Sequence, residues 1–125
     1  MELSEHRHIL YFSEQPLVLM EELLNIKKIG FTHIPTGIPE TALAQAQQHY
    51  TALKASPFVE NSGIGFILFG SACDLALPLQ QLCEVKMLLV NPLRHDYFPA
   101  RISVIEASEE ESMSMQIKAK LENIV

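Results

Sequence analysis

Residues 8–12, His-Ile-Leu-Tyr-Phe, form a nearly continuous run of β-prone apolar side chains. Such a run suits a strand at the centre of a parallel sheet that is covered on both faces. Ser13, Glu14 and Gln15 break it, and Pro16 stands where a first helical residue would, a place where its missing N–H costs nothing. Leu17, Met20, Leu23, Leu24 and Ile26 then recur at helical spacing, with Glu21, Glu22, Lys27 and Lys28 mostly off the stripe. Acid early and base late also suit the helix dipole. Gly30 is the expected helix stop, and residues 31–34 are the expected second strand. Residues 8–34 therefore predict one strand–helix–strand unit.

The pattern continues in the same alternation. Thr36 and Gly37 make a turn, and Pro39 again marks a helix start. Residues 40–55 are rich in Ala, Gln and Leu, all good helix formers, and Pro57 closes them. Residues 64–69, Ile-Gly-Phe-Ile-Leu-Phe, are the third expected strand, followed by the small-residue turn Gly70, Ser71 and Ala72. Pro78 leaves two options for the next helical segment: two short pieces, or one helix starting at Pro78. Residues 85–90 and 101–106 are the fourth and fifth expected strands. Only nine residues, 92–100, lie between them, which is tight for a helical crossover of about a dozen residues. The last two strands are then either antiparallel neighbours or joined by a single helical turn, and the fourth helix is short or missing. Ser108 and Glu111 form a capping-box pattern, and Met113, Ile117, Leu121 and Ile124 give the last helix its buried stripe. The expected fold is a single α/β domain over 1–125, doubly wound, with a mainly parallel five-stranded sheet.

Composition narrows the function classes. The chain is 48% hydrophobic and 19% charged, too apolar for a disordered protein. No apolar run reaches the roughly 18 residues of a membrane span, and the first residues lack the basic and apolar blocks of a secretion signal. The expectation is a soluble, cytoplasmic protein. The net charge is −6 with no basic stripe, which argues against nucleic-acid binding. Glu109, Glu110 and Glu111 read as a helix start. No cofactor is implied.

The order, the length and the phrase Ile-Leu-Tyr-Phe-Ser-Glu-Gln-Pro-Leu-Val at residues 9–18 resemble a bacterial response-regulator receiver domain. Lys28-Ile29-Gly30-Phe31 is similar to that family's helix end before its second strand. Beyond Ala55 the likeness lies in the succession of elements alone. The resemblance implies a flavodoxin-like sheet with a phosphorylation pocket at one end. A working receiver carries two acids after the first strand to hold Mg²⁺, and an aspartate ending the third strand to accept the phosphoryl group. Those positions fall here on Ser13 and Glu14, and on Gly70 or, one residue earlier, Phe69. The switch Thr or Ser falls on Asn91. The Lys-Pro pair falls near Glu106 and Ala107, without the cation. The resemblance thus implies a pseudo-receiver that cannot be phosphorylated, with Ser13, Glu14, Gly70, Asn91 and Glu106 marking the vestigial pocket. Its partner would be another protein of regulatory or signalling type, or a second copy of itself.

Other constellations are weaker. Cys73 lies just past a strand end, where a helix N-terminus can activate a thiol. Its sequence, Gly-Ser-Ala-Cys, lacks a phosphate-binding cradle, so a thiol enzyme or redox sensor stands as an alternative behind a buried structural thiol. Cys83 reads as structural. His6 and His8 share a strand face, but with His33 and His49 they match no zinc spacing, so no metal site is expected. His95-Asp96 reads as a solvated turn. Gly63 and Gly65 precede a strand, whereas a phosphate loop comes after one. A further alternative, from the negative charge, is a small acidic immunity or inhibitor protein that plugs a basic partner.

Overall fold

The computed structural model describes residues 7–56, 63–83, 85–92, 102–106 and 110–124. Along them run β1 (His8–Ser13), α1 (Val18–Ile26), β2 (Gly30–Pro35), α2 (Pro39–Ala55) and β3 (Ile64–Phe69). A 3-10 turn (Gly70–Leu75) leads into α3 (Ala76–Leu82), followed by β4 (Lys86–Val90), β5 (Ile102–Ile105) and α4 (Glu110–Ile124). The strands form one sheet in the order β2-β1-β3-β4-β5. Every pair in it is parallel. This is the doubly wound, flavodoxin-like α/β arrangement, in which the winding reverses between β1 and β3.

Strand alternation sorts the core into two layers. Leu10 and Phe12 of β1, Phe66 and Leu68 of β3 and Met87 and Leu89 of β4 face α2 and α3. Small Ala42 and Ala46 let α2 lie close to the sheet, and Leu79 anchors α3. Ile9, Tyr11, Ile67, Leu88 and Val90 face the other way, onto Met20 and Leu24 of α1 and Ile117 and Leu121 of α4. Coverage from both sides leaves Ile9, Leu10, Tyr11 and Phe12 fully buried, which is why β1 reads as an unbroken apolar run.

Four local expectations are corrected. β4 and β5 are parallel, Met87 pairing with Ile102, so the antiparallel alternative is wrong. Parallel neighbours need a crossover, but residues 93–101 lie outside those described, so the short or missing fourth helix is not addressed. α1 begins at Val18 with Leu17 as its N-cap, two residues beyond Pro16, and the Leu17 N–H donates to the Tyr11 hydroxyl at 3.3 Å. Pro78 interrupts nothing: it sits in the first turn of α3, where a helix has no use for its N–H.

Gly30 is not the helix stop. Lys28 takes the left-handed turn, with φ 59°. The Ile29 N–H donates to the Leu24 carbonyl at 2.9 Å, and the Lys28 N–H to the Asn25 carbonyl at 3.0 Å. That pair of bonds is a Schellman closure, with the usual glycine position held by lysine. Gly30 instead opens β2, where a Cβ would come within 2.7 Å of the His8 Nδ1. Its role is close approach. The capping pattern at Ser108, and His6, His95 and Asp96, also lie outside the described residues.

Candidate functional site

In a doubly wound sheet the connections diverge at the point of reversal and leave a crevice at the carboxyl ends of the flanking strands. Here that point lies between β1 and β3, and an open depression of about 420 Å³ occupies it. One wall is the end of β1 and the loop after it: Ser13, Glu14, Gln15 and Leu17. The other is the end of β3: Phe69, Gly70 and Ser71. Glu14 and Ser71 are exposed, and Leu17 and Phe69 are half-buried.

The structure gathers Ser13, Glu14 and Gly70 in this depression. Asn91 follows β4 and Glu106 follows β5 at the same edge of the sheet, but neither belongs to its walls. Asn91 holds φ 54°, and its N–H donates to the Ile105 carbonyl at 2.9 Å. The Glu106 carbonyl accepts a bond from Gln116 Nε2 at 3.1 Å. Gly70 holds φ 59° with open space where a side chain would be. It lets the chain turn sharply from β3 into the 3-10 segment.

Next to the depression lies a half-buried polar network that sequence reasoning missed. The Tyr11 hydroxyl donates to the Glu21 carboxylate on α1. Burial, then the bond to Glu21, push the phenol up to about 12. Its ring lies 4.8 Å from the His33 ring and meets Phe69 edge-on at 6.3 Å. His33 Nε2 lies 3.0 Å from the Ser13 carbonyl oxygen, a bond that requires its N–H there. The same nitrogen is 3.1 Å from Ser13 Oγ, whose own proton goes to the Gln15 carbonyl at 2.6 Å. Ser13 and His33 thus resemble a nucleophile–base pair in distance, but the proton placement runs the wrong way. A base must accept the hydroxyl proton, and here the imidazole donates. The network pins the loop after β1 to β2 and α1. The signal for it was present: Tyr11, Ser13 and His33 alternate on one face of adjacent strands, and a buried tyrosine requires a partner for its hydroxyl.

The donor set of the depression does not fit a divalent metal. Mg²⁺ takes oxygen ligands with octahedral geometry and one or two carboxylates beside substrate phosphates. Among the described residues Glu14 is the one carboxylate of the lining, the Ser13 hydroxyl is committed, and Gly70 has no side chain. No group of three or more metal-ligating side chains occurs among the described residues.

Cys73 is directed away from solvent. It is 5% exposed, and its thiol donates to the Leu68 carbonyl at 3.3 Å. Burial pushes it up to about 12. It is therefore a protonated thiol at neutral pH, whereas a reactive one needs a lowered pKa and access. Burial raises Cys83 as well, to about 11. No described helix is long and apolar enough to cross a membrane. Comparison with known proteins finds no matching family model, no matching curated protein and no matching solved structure.

Proposed function

We propose that this domain is a non-enzymatic protein-interaction module, a receiver-like fold that cannot be phosphorylated. The observation that carries the reading is the makeup of the depression. Phosphoryl transfer of this type requires an acceptor carboxylate and metal-binding acids. Gly70 stands at the acceptor position, and Ser13 spends its hydroxyl on the Gln15 carbonyl. Glu14 alone cannot supply both functions.

The surface supports a binding role. Val18 and Ile26 of α1 are 64% and 77% exposed, and Leu19 beside them is 39% exposed. Their spacing puts them on one face of the helix. On neighbouring α4, Met115 is 73% exposed. Ile38, Leu77, Leu82 and Val104 are also exposed but lie on other elements, so the α1 group, with Met115, is the apolar surface this reading assigns to a partner. The partner in this reading is a regulatory or signalling protein, or a second copy of the domain.

The direct test is NMR titration with Mg²⁺ and beryllofluoride, a phosphoryl mimic. Unchanged Gly70 and Asn91 resonances are expected, and saturable shifts at both would refute the reading. A second reading, the small acidic inhibitor of a basic partner, has the net charge of −6 behind it. Affinity capture separates the two: a kinase or regulator supports the interaction module, and a toxin or nuclease supports the inhibitor.

A further inference from the structure

We propose that the depression between β1 and β3 binds a small organic cation, an alkyl- or arylalkylammonium, with its ammonium on Glu14 and its apolar body against Leu17 and Phe69. This rests on the lining of the depression and is independent of the protein-interaction reading.

Size and place come first. Ligand pockets commonly span about 300–1,000 Å³ and favour the reversal point of α/β sheets. At about 420 Å³ this depression holds a ring and a short chain. Gly70 leaves its side of the floor open, since nothing lies within 4 Å of where a Cβ would stand.

Charge then selects the ligand. Among the described residues the lining contains one charged side chain, Glu14, and no lysine or arginine. The N-terminus of α1 is near, because Leu17 is both its N-cap and part of the wall. A helix N-terminus contributes roughly half a positive charge, which taken alone would favour an anion. The full charge of the Glu14 carboxylate is larger, so the local balance is negative. The chain's net charge of −6 extends the same sign outward and steers cations in. A phosphate or carboxylate would meet the Glu14 carboxylate with no lysine or arginine among the described lining residues to offset it.

Apolar walls select the rest of the molecule. Leu17 and Phe69 are half-buried, so each has apolar surface left to cover. A bare metal ion leaves those walls wet and lacks further carboxylates here. An ammonium with a hydrocarbon arm meets both requirements, and the Ser71 hydroxyl at the rim adds an acceptor for a second ammonium N–H.

The test is an NMR titration of the full chain with three probes that share a phenethyl body: phenethylammonium, phenethyl alcohol and 3-phenylpropanoate. Saturable shifts at Glu14, Gly70 and Ser71 are expected with phenethylammonium. The alcohol should bind about two- to fivefold more weakly, the ratio an exposed ion pair commands, and the carboxylate should not saturate. In E14Q, whose site is exposed and whose fold the same spectra verify, phenethylammonium affinity should fall by a similar factor. Equal binding of the three probes, unchanged affinity in E14Q, or no saturable shift with phenethylammonium overturns the proposal. None of these results bears on the beryllofluoride titration, so the two readings fail separately.

Discussion

The two layers of the sheet are built differently. The layer under α2 and α3 is almost wholly apolar: Leu10, Phe12, Phe66, Leu68, Leu79 and Met87 interdigitate, and Phe12 and Phe66 meet at 5.3 Å. Polar side chains enter that side at its amino edge, where His8 Nε2 meets Thr32 Oγ1 at 2.9 Å. The layer under α1 and α4 has a similar apolar base, but at its carboxyl edge it holds Tyr11, Glu21, His33 and Ser13 in one polar cluster. The first layer supplies stability through burial, and the second uses buried area to fix a loop. The depression lies above the second, where directional bonds define the loop that forms its wall. Apolar contacts are non-directional, so a core of Leu and Phe alone could not do that.

The sharpest break of this contrast is Phe66→Ala, which removes a fully buried ring from the apolar layer and should cost about 3–5 kcal/mol in denaturant unfolding. A loss below about 1 kcal/mol would mean the apolar layer is not the stabilising one. Tyr11→Phe keeps the ring and removes the hydroxyl that Glu21 and Leu17 both use. Its expected cost is smaller, about 1–3 kcal/mol, with NMR shifts concentrated at residues 13–17. Shifts spread evenly over the sheet would contradict a local tether.

Gly30→Ala places a methyl group against the His8 ring, and overpacking of this kind costs about 1–3 kcal/mol. In a His8→Ala background most of that cost should vanish, and a cost that persists would locate the clash elsewhere. Lys28→Gly relieves a left-handed lysine at φ 59°. It should raise stability by up to about 1 kcal/mol, and a lower melting temperature would contradict the strain. The smallest effect is a pH dependence at the amino edge. Burial, and then the nearby His49 charge, lower His8 from its ordinary 6.5. As pH falls the unfolded chain therefore takes up this proton first. The contribution is complete above about 6.5 and is lost on the way down through the lower folded value. His8→Gln should flatten that part of the stability–pH profile.

Much of this architecture was legible because parallel strands covered on both faces must be apolar nearly throughout. Residues 9–12 and 64–69 announced that directly. What misled was punctuation. Pro16 and Gly30 carry strong local preferences, yet α1 starts two residues after the first and closes at Lys28, before the second. The His8 ring claimed the space beside Gly30, and Lys28 took the turn. The depression was half legible. Ser13, Glu14 and Gly70, with Phe69 one residue earlier, could be placed by counting from strand ends, whereas Leu17 and Ser71 became lining only when β1 and β3 were seen side by side.

The sequence by itself determined the alternation of strands and helices, the two-sided burial of β1 and β3, and that residues 13 and 70 carry no carboxylate. These follow from local periodicity and residue identity. The tertiary structure alone decided that β4 and β5 run parallel, that Cys73 faces the core, and that Tyr11, Glu21, His33 and Ser13 form one network. Those outcomes depend on which elements become neighbours, and residues 10 or more apart in the chain meet only when strand order and helix placement bring them within hydrogen-bond reach.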